Sequence, residues 1–405
     1  MKYRKAVDQD ADDILRIMSA AFDRPPGSEK YERDRRRLAS EIDTHRVLVR
    51  DGKVVGALHL SRDEIQIGRS VVVKADVGEV CVSPDCQDEG LGTILMERAV
   101  EHLKAEGYPL SRLGGYRRFY ERFGWTPFPR GYIDFTLQGL TSRGGYTDPV
   151  TYLDRPDEDA HIRPYDGRRD ADACESLYQS FNARRTGAVP SRSFTATADD
   201  PWRVVYEKNG VVHAYVFASQ NEPPYTKLSP AFSISDAACE PTDPHPLGEA
   251  LRYILRQSAI ADAESVRAKL PLDPALYALY RDNSCGFVPS LWQSSEGGNM
   301  LQILSLRGLF DAISRELTDR LRSAGQAPHE ISLRVREETI GLVWDGTQLT
   351  IEERKEDPVV LGQDDMMKMV LGLQSTEQIV QTDGEGLDML RAAFPVQGTA
   401  TGVWG

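Results

Sequence analysis

Apolar and polar positions alternate with two distinct periods along this chain. Residues 10–22 begin with Asp10, Asp12 and Asp13 and then place Ile14, Ile17, Met18 and Ala21 on one side, predicting an amphipathic helix with an acidic start. The same period predicts helices over 93–103, with Ile94, Leu95, Ala99 and Leu103 inward, and over 170–181, 306–321 and 364–373. Short β-rich arms flank X-Gly turns at Asp51-Gly52 and Asn209-Gly210, predicting hairpins 46–49/54–57 and 203–206/211–214. Further strands are predicted at 77–82, 331–335, 341–344 and 349–353.

These elements repeat. Aligning Phe22 with Phe181 superimposes the two acidic-capped helices at an offset of 159 residues and brings the hairpins after them into correspondence. Tyr120-Glu121-Arg122-Phe123-Gly124-Trp125 is echoed by Tyr280 to Phe287. Gly139 to Pro164 is rich in Gly, Pro and Ser with little periodicity, which reads as a linker. From Gly297 on the repeat stops. The expected organisation is a first domain over 1–145, a second over 146–295 and a third α+β domain over 296–405. The fold class is α/β (α+β), with mixed twisted sheets flanked by helices.

Composition narrows the possible functions. The chain of 405 residues carries a net charge of −13, and the acidity is uneven: residues 1–145 stand at +1, 146–295 at −6 and 296–405 at −8. That balance argues against a nucleic-acid partner and gives slight support to a cationic one. The first residues lack the apolar run of a signal peptide and no stretch approaches 18 apolar residues, so a cytoplasmic protein without a membrane partner is expected. Five scattered cysteines form no C-x-x-C pair and the seven histidines show no ligand spacing, so neither disulfides nor a metal are expected.

The chemistry concentrates in one strand-loop-helix. Val77 to Val82 ends at Ser83-Pro84, and Gln87-Asp88-Glu89-Gly90-Leu91-Gly92-Thr93 then leads into the helix. Glycines at such a turn let backbone N–H groups close on a phosphate where the helix dipole favours an anion. A G-x-G alone is a weak signal. Here Q-x-x-G-x-G follows a V-x-V-x-P strand end, and a Tyr-x-x-Phe-Gly-Trp turn lies about 28 residues on.

This ordered set resembles the acetyl-CoA site of the GNAT acetyltransferase superfamily. With a second copy and a third α+β domain, the chain resembles Eis-type N-acetyltransferases, which have tandem GNAT domains and a sterol-carrier-like C-terminal domain. The resemblance implies acetyl transfer from acetyl-CoA to an amine within a ternary complex, and a homo-oligomeric ring. Carried onto this sequence, it implies that Val80, Cys81 and Val82 offer backbone groups to the pantetheine. Gln87, Asp88, Glu89, Gly90, Leu91, Gly92 and Thr93 would form the pyrophosphate cradle. Tyr120 would protonate the departing thiolate, with Tyr116 as the competing tyrosine. A phenol near pKa 10 and a thiol near 8.5 are close enough for that transfer.

Two bases compete. The family uses the terminal carboxylate, here that of Gly405, although family tails tend to end in an aromatic residue and this one ends Trp404-Gly405. The other candidate is Glu79 on the strand. The second copy offers Pro244-His245-Pro246-Leu247-Gly248-Glu249 at the cradle position, and its prolines lack the N–H groups a phosphate needs, so no CoA is expected there. Met366, Met367 and Met369 read as core, and Arg33 to Arg37 as a solvated helix face. A rival to the enzyme is a carrier protein that binds an apolar ligand in the third domain and keeps a relic CoA site.

Overall fold

The computed structural model describes the chain except residues 138, 141–145, 191, 193, 195–199, 227–229, 354–355, 381–383 and 399–405. It is a mixed α/β protein built on two seven-stranded sheets and one four-stranded sheet. The first sheet runs Lys2–Lys5, His45–Arg50, Lys53–Ile67, Ser70–Val82, Leu110–Tyr116, Gly297–Ile303, Thr126–Pro127. The second runs Ile162–Pro164, Arg203–Lys208, Val211–Gln220, Phe232–Cys239, Ser265–Ala268, Arg130–Thr136, Phe287–Trp292.

The two sheets match strand for strand, including the sixth place, which each fills from the other part of the chain. Gly297–Ile303 pairs antiparallel with Leu110–Tyr116, and Arg130–Thr136 pairs antiparallel with Ser265–Ala268. The sheets therefore cross the expected divisions at 145 and 295. Local periodicity identifies a strand but not the distant edge it joins, and the Gly297-Gly298-Asn299 start hid the returning strand altogether.

Alternation along the strands assigns the two faces of the first sheet. Val47, Ala57 and Cys81 pack with Ile14, Ile17, Met18 and Leu38 from helices Ala11–Ala21 and Glu29–Glu41. Leu48, Leu58 and Val77 point the other way, onto Leu91, Leu95, Met96 and Ala99 of helix Leu91–Ala105. Each such Leu→Ala change removes core contacts at a cost of about 2–5 kcal/mol.

The third sheet, ordered Leu349–Glu352, Glu338–Trp344, His329–Val335, Val359–Leu361, packs on helix Leu306–Ser323. The core there includes Met366, Met367 and Met369, all fully buried, in agreement with their reading as packing residues. It also takes in Ile65, Ile67 and Val72 from the tip of the long hairpin Lys53–Ile67/Ser70–Val82, so this hairpin joins the first sheet to the third unit. Among the described residues no helix is long and apolar enough to cross a membrane.

Candidate active site

Strand Ser70–Val82 opens the site. It pairs in parallel with Leu110–Tyr116 only from Lys74↔Leu110 to Val77↔Leu113, and then the two strands part. Beyond that point Gly78 to Val82 keep their ladder on the other side alone, through Ala57↔Cys81 and Gly56↔Val82. A bulge sits at the parting: the register slips between Ala57 and His59, and Glu79 takes a left-handed φ of 53°. The backbone of Val80, Cys81 and Val82 thus borders an open wedge. Cys81 is buried, and burial pushes its thiol up to about 12, so it stays protonated and unreactive.

Gly90 caps helix Leu91–Ala105 at φ 75°, a backbone state that suits glycine. Thr93 and Ile94 N–H donate back to the Gly90 carbonyl, whereas the N–H groups of Leu91 and Gly92 have no acceptor among the described residues. A Cβ at Gly92 would meet Phe119 at 3.4 Å and Val82 at 3.9 Å in ordinary contact, so this glycine sits against the ring and the strand edge that border the wedge. Gln87, Asp88 and Glu89 are exposed at its mouth, with Asp88 at φ 63°. Glu89 is engaged by Arg50, which also donates to Cys86 Sγ at 3.0 Å. Arg122, which the sequence reading passed over, donates to Thr93 Oγ1 at 3.0 Å and lies over Phe119 and Phe123. It adds a cation beside the free N–H groups. These features fit a pyrophosphate.

The two tyrosines separate clearly. Tyr116 is 79% exposed. Tyr120 is half-buried, stacks edge-on to Phe119 with ring centroids 4.9 Å apart, and lies so close under Gly115 that a Cβ there would overlap its ring. Its hydroxyl has no hydrogen-bond partner among the described residues, and burial pushes it up to about 12. The counterpart in the second sheet differs: Tyr280 is fully buried and donates to the Pro271 carbonyl at 3.1 Å.

Glu79 is not a solvated strand residue. Burial alone would raise its carboxyl, but the neighbouring His45 and the Arg37 guanidinium that bonds it outweigh burial and bring it down to about 2. Arg37 donates to Oε1, Arg24 stands 3.7 Å from the same oxygen, and His45 Nε2 lies 3.6 Å from Oε2. The run Arg33 to Arg37 is accordingly solvated only in part. Arg33, Arg35 and Arg36 face water, while Asp34 is buried against Arg24 at 2.5 Å and Arg37 reaches the strand bulge. Gly405 lies outside the described residues.

The turn after Tyr120 is held from the third unit. Gln363 Nε2 donates to the Gly124 carbonyl at 3.1 Å, Arg336 donates to the same oxygen, and Gln302 Nε2 donates to the Phe123 carbonyl at 3.0 Å. No sequence motif announces these contacts.

At the matching place in the second sheet, helix His245–Ile260 begins with Pro244 as cap and Pro246 inside its first turn. A Cβ at Gly248 would meet Asn283 Nδ2 at 2.5 Å, and buried Glu249 sits in the same turn beside Arg252. Proline, a packed side chain and a carboxylate all oppose a phosphate there.

Residues 2–128 match the acetyltransferase (GNAT) domain family. The whole fold is similar to a GCN5-related N-acetyltransferase from Anabaena variabilis, at 14% identity and TM-score 0.66 over 99% of this chain and 98% of that one. It is also similar to the GCN5-related N-acetyltransferase of Kribbella flavida, at 17% identity and TM-score 0.63, covering 99% and 96%. Eis1 from Mycobacterium abscessus matches at 14% identity and TM-score 0.63, covering 99% and 97%. At such identities the likeness is one of fold. No curated protein matches the sequence.

Proposed function

We propose that this chain is an acetyl-CoA-dependent N-acetyltransferase that acetylates a primary amine, on a small cationic molecule or a lysine side chain, by direct transfer in a ternary complex. The observation that carries the reading is the parted strand pair Ser70–Val82/Leu110–Tyr116, with two free helix N–H groups at one end and the unpartnered Tyr120 hydroxyl beside it. The GNAT match over residues 2–128 supports it.

In this reading Leu91 and Gly92 N–H, with Arg122, hold the pyrophosphate, and the edge of Val80 to Val82 aligns the pantetheine. Acetyl-CoA supplies the activated acyl group. Tyr120 donates its proton as the thiolate departs. A phenol held near 12 donates uphill to a thiolate in water, but a thiolate forming in the same buried wedge is also poorly solvated, and that narrows the gap. We read the second sheet as a degenerate copy that walls the cleft. The carrier alternative gains no support from the third unit, whose methionines fill its core.

The test is thiol release from acetyl-CoA with polyamines, aminoglycosides and lysine peptides as acceptors. Amine-dependent release that Tyr120→Phe abolishes supports the reading. No release with any amine, from protein shown by calorimetry to bind acetyl-CoA, contradicts it.

A further inference from the structure

Four side chains from four elements meet behind the bulge: Arg37 on helix Glu29–Glu41, His45 at the start of its strand, His59 on the long hairpin and Glu79 on the parted strand. Each has one buried polar atom without a hydrogen-bond partner among the described residues, namely Arg37 Nε, His45 Nε2, His59 Nε2 and Glu79 Oε2. The four groups adjoin one another, with the His45 and His59 rings 4.9 Å apart and Arg37 bonded to Glu79.

The hydrogen bonds of His45 identify its proton. Its Nδ1 lies 3.3 Å from the Glu41 carbonyl and 3.3 Å from Thr44 Oγ1, whose own hydroxyl donates to that same carbonyl at 2.7 Å. Both partners can therefore only accept, so Nδ1 carries the hydrogen and Nε2 of the neutral ring is a bare lone pair. That lone pair faces a carboxylate oxygen, Glu79 Oε2, at 3.6 Å. The neutral ring leaves two acceptors confronting each other. A proton on Nε2 turns the same geometry into an ion pair.

We infer that His45 is the terminal acceptor of the proton given up by the attacking amine, with Glu79 as the group that passes it and then stabilises the imidazolium. The inference rests on the acetyltransferase reading and deepens it. An ammonium must lose a proton before its nitrogen can attack, and Glu79, clamped by Arg37 and Arg24, is too weak a base to keep that proton. It can hand the proton inward. Of the two protons the nitrogen loses, one reaches His45 and later returns to solvent. The other replaces the proton that Tyr120 gives to the CoA thiolate as the C–S bond breaks and the C–N bond forms.

The other groups around His45 are consistent with this role. Glu41 and Arg37 come from the helix, His59 from the neighbouring strand, and Glu79 and Cys81 from the parted one. Burial lowers the pKa of His59, with the nearby His45 adding to the effect, and His59 stays neutral. The Cys81 thiol is raised and also neutral. The charges on this side of the ring include the Glu79 carboxylate, the Arg37 guanidinium bound to it and Arg24, 3.7 Å from Glu79 Oε1.

The test uses the full chain. ¹⁵N spectra of the histidine rings in wild-type protein report the tautomer directly. The expected result is an Nδ1–H ring for His45 whose Nε2 is unprotonated in the neutral form. An Nε2–H tautomer overturns the inference even if the enzyme is active. His45→Asn keeps an N–H for the Glu41 carbonyl but has no atom at Nε2. It should lower kcat about a hundredfold, with acetyl-CoA affinity by calorimetry unchanged. Full turnover overturns it. Wild-type protein with the expected tautomer but no acetyl transfer would instead contradict the acetyltransferase reading.

Discussion

Gln363, fully enclosed in the third unit's first short helix, donates to the carbonyl of Gly124, 239 residues earlier, at 3.1 Å. The same amide nitrogen donates to Thr126 Oγ1 and the Leu301 carbonyl, each at 3.0 Å, and its oxygen accepts from Ile303 N–H at 2.9 Å. One side chain therefore ties the end of the Tyr120 turn to the strand that returns from the far part of the chain. Gln363→Leu would leave the Ile303 N–H without its acceptor and take one donor from the Gly124 and Leu301 carbonyls, a stranded buried group costing about 1–3 kcal/mol. Urea denaturation should show a loss of at least about 2 kcal/mol, and turnover should fall as the Tyr120 turn loosens. Unchanged stability would mean that the turn is held elsewhere.

Tyr120→Phe should lower kcat about a hundredfold while leaving acetyl-CoA affinity intact, because its hydroxyl acts only as the thiolate leaves. Tyr116→Phe, at a side chain 79% exposed, should match wild type in both. Steady-state kinetics with calorimetric binding checks the pair. A normal rate for Tyr120→Phe would move the acid to another residue.

Much of this site could be read from the sequence, and the limit of that reading is physical. The Gln87–Gly92 spacing, the strand before it and the Tyr120 turn are local, so residue pattern and the resemblance it carries pointed to the strand end, helix start and tyrosine that the structure brings side by side. The exchange of Gly297–Ile303 and Arg130–Thr136, the clamp of Arg37 on Glu79 and the Gln363 brace join residues tens to hundreds apart. Periodicity carries no information about such pairings. Arg37 was read with its neighbours as solvated because a helix face rich in arginine gives no sign of the carboxylate waiting under it.

Acid stability should report that carboxylate. Glu79 is held at about 2 in the fold against an ordinary glutamate value of 4.5, so the stability it contributes is fully present above pH 4.5 and is lost as pH falls toward 2. Glu79→Gln should flatten that part of the stability-against-pH curve, measured by thermal unfolding between pH 6 and 2. An equally steep curve in the variant would show that the Arg37 and His45 contacts do not hold in solution.

Arg122→Ala should weaken acetyl-CoA binding severalfold and make it less sensitive to salt, since a cation beside the cradle is removed. Titrations at low and high ionic strength check this. Wild-type salt dependence in the variant would place Arg122 outside the phosphate site.

The central claim is that one cradle of the two binds the cofactor, and calorimetric titration of acetyl-CoA tests it most directly. The account predicts one site per chain, lost or weakened at least tenfold in Gly92→Val and unaffected by His245→Ala at the start of the corresponding second helix. Gly248 is unsuited to that control because its side of the helix is packed against Asn283. Two sites per chain, or a Gly92→Val protein that folds and binds like wild type, would contradict the account.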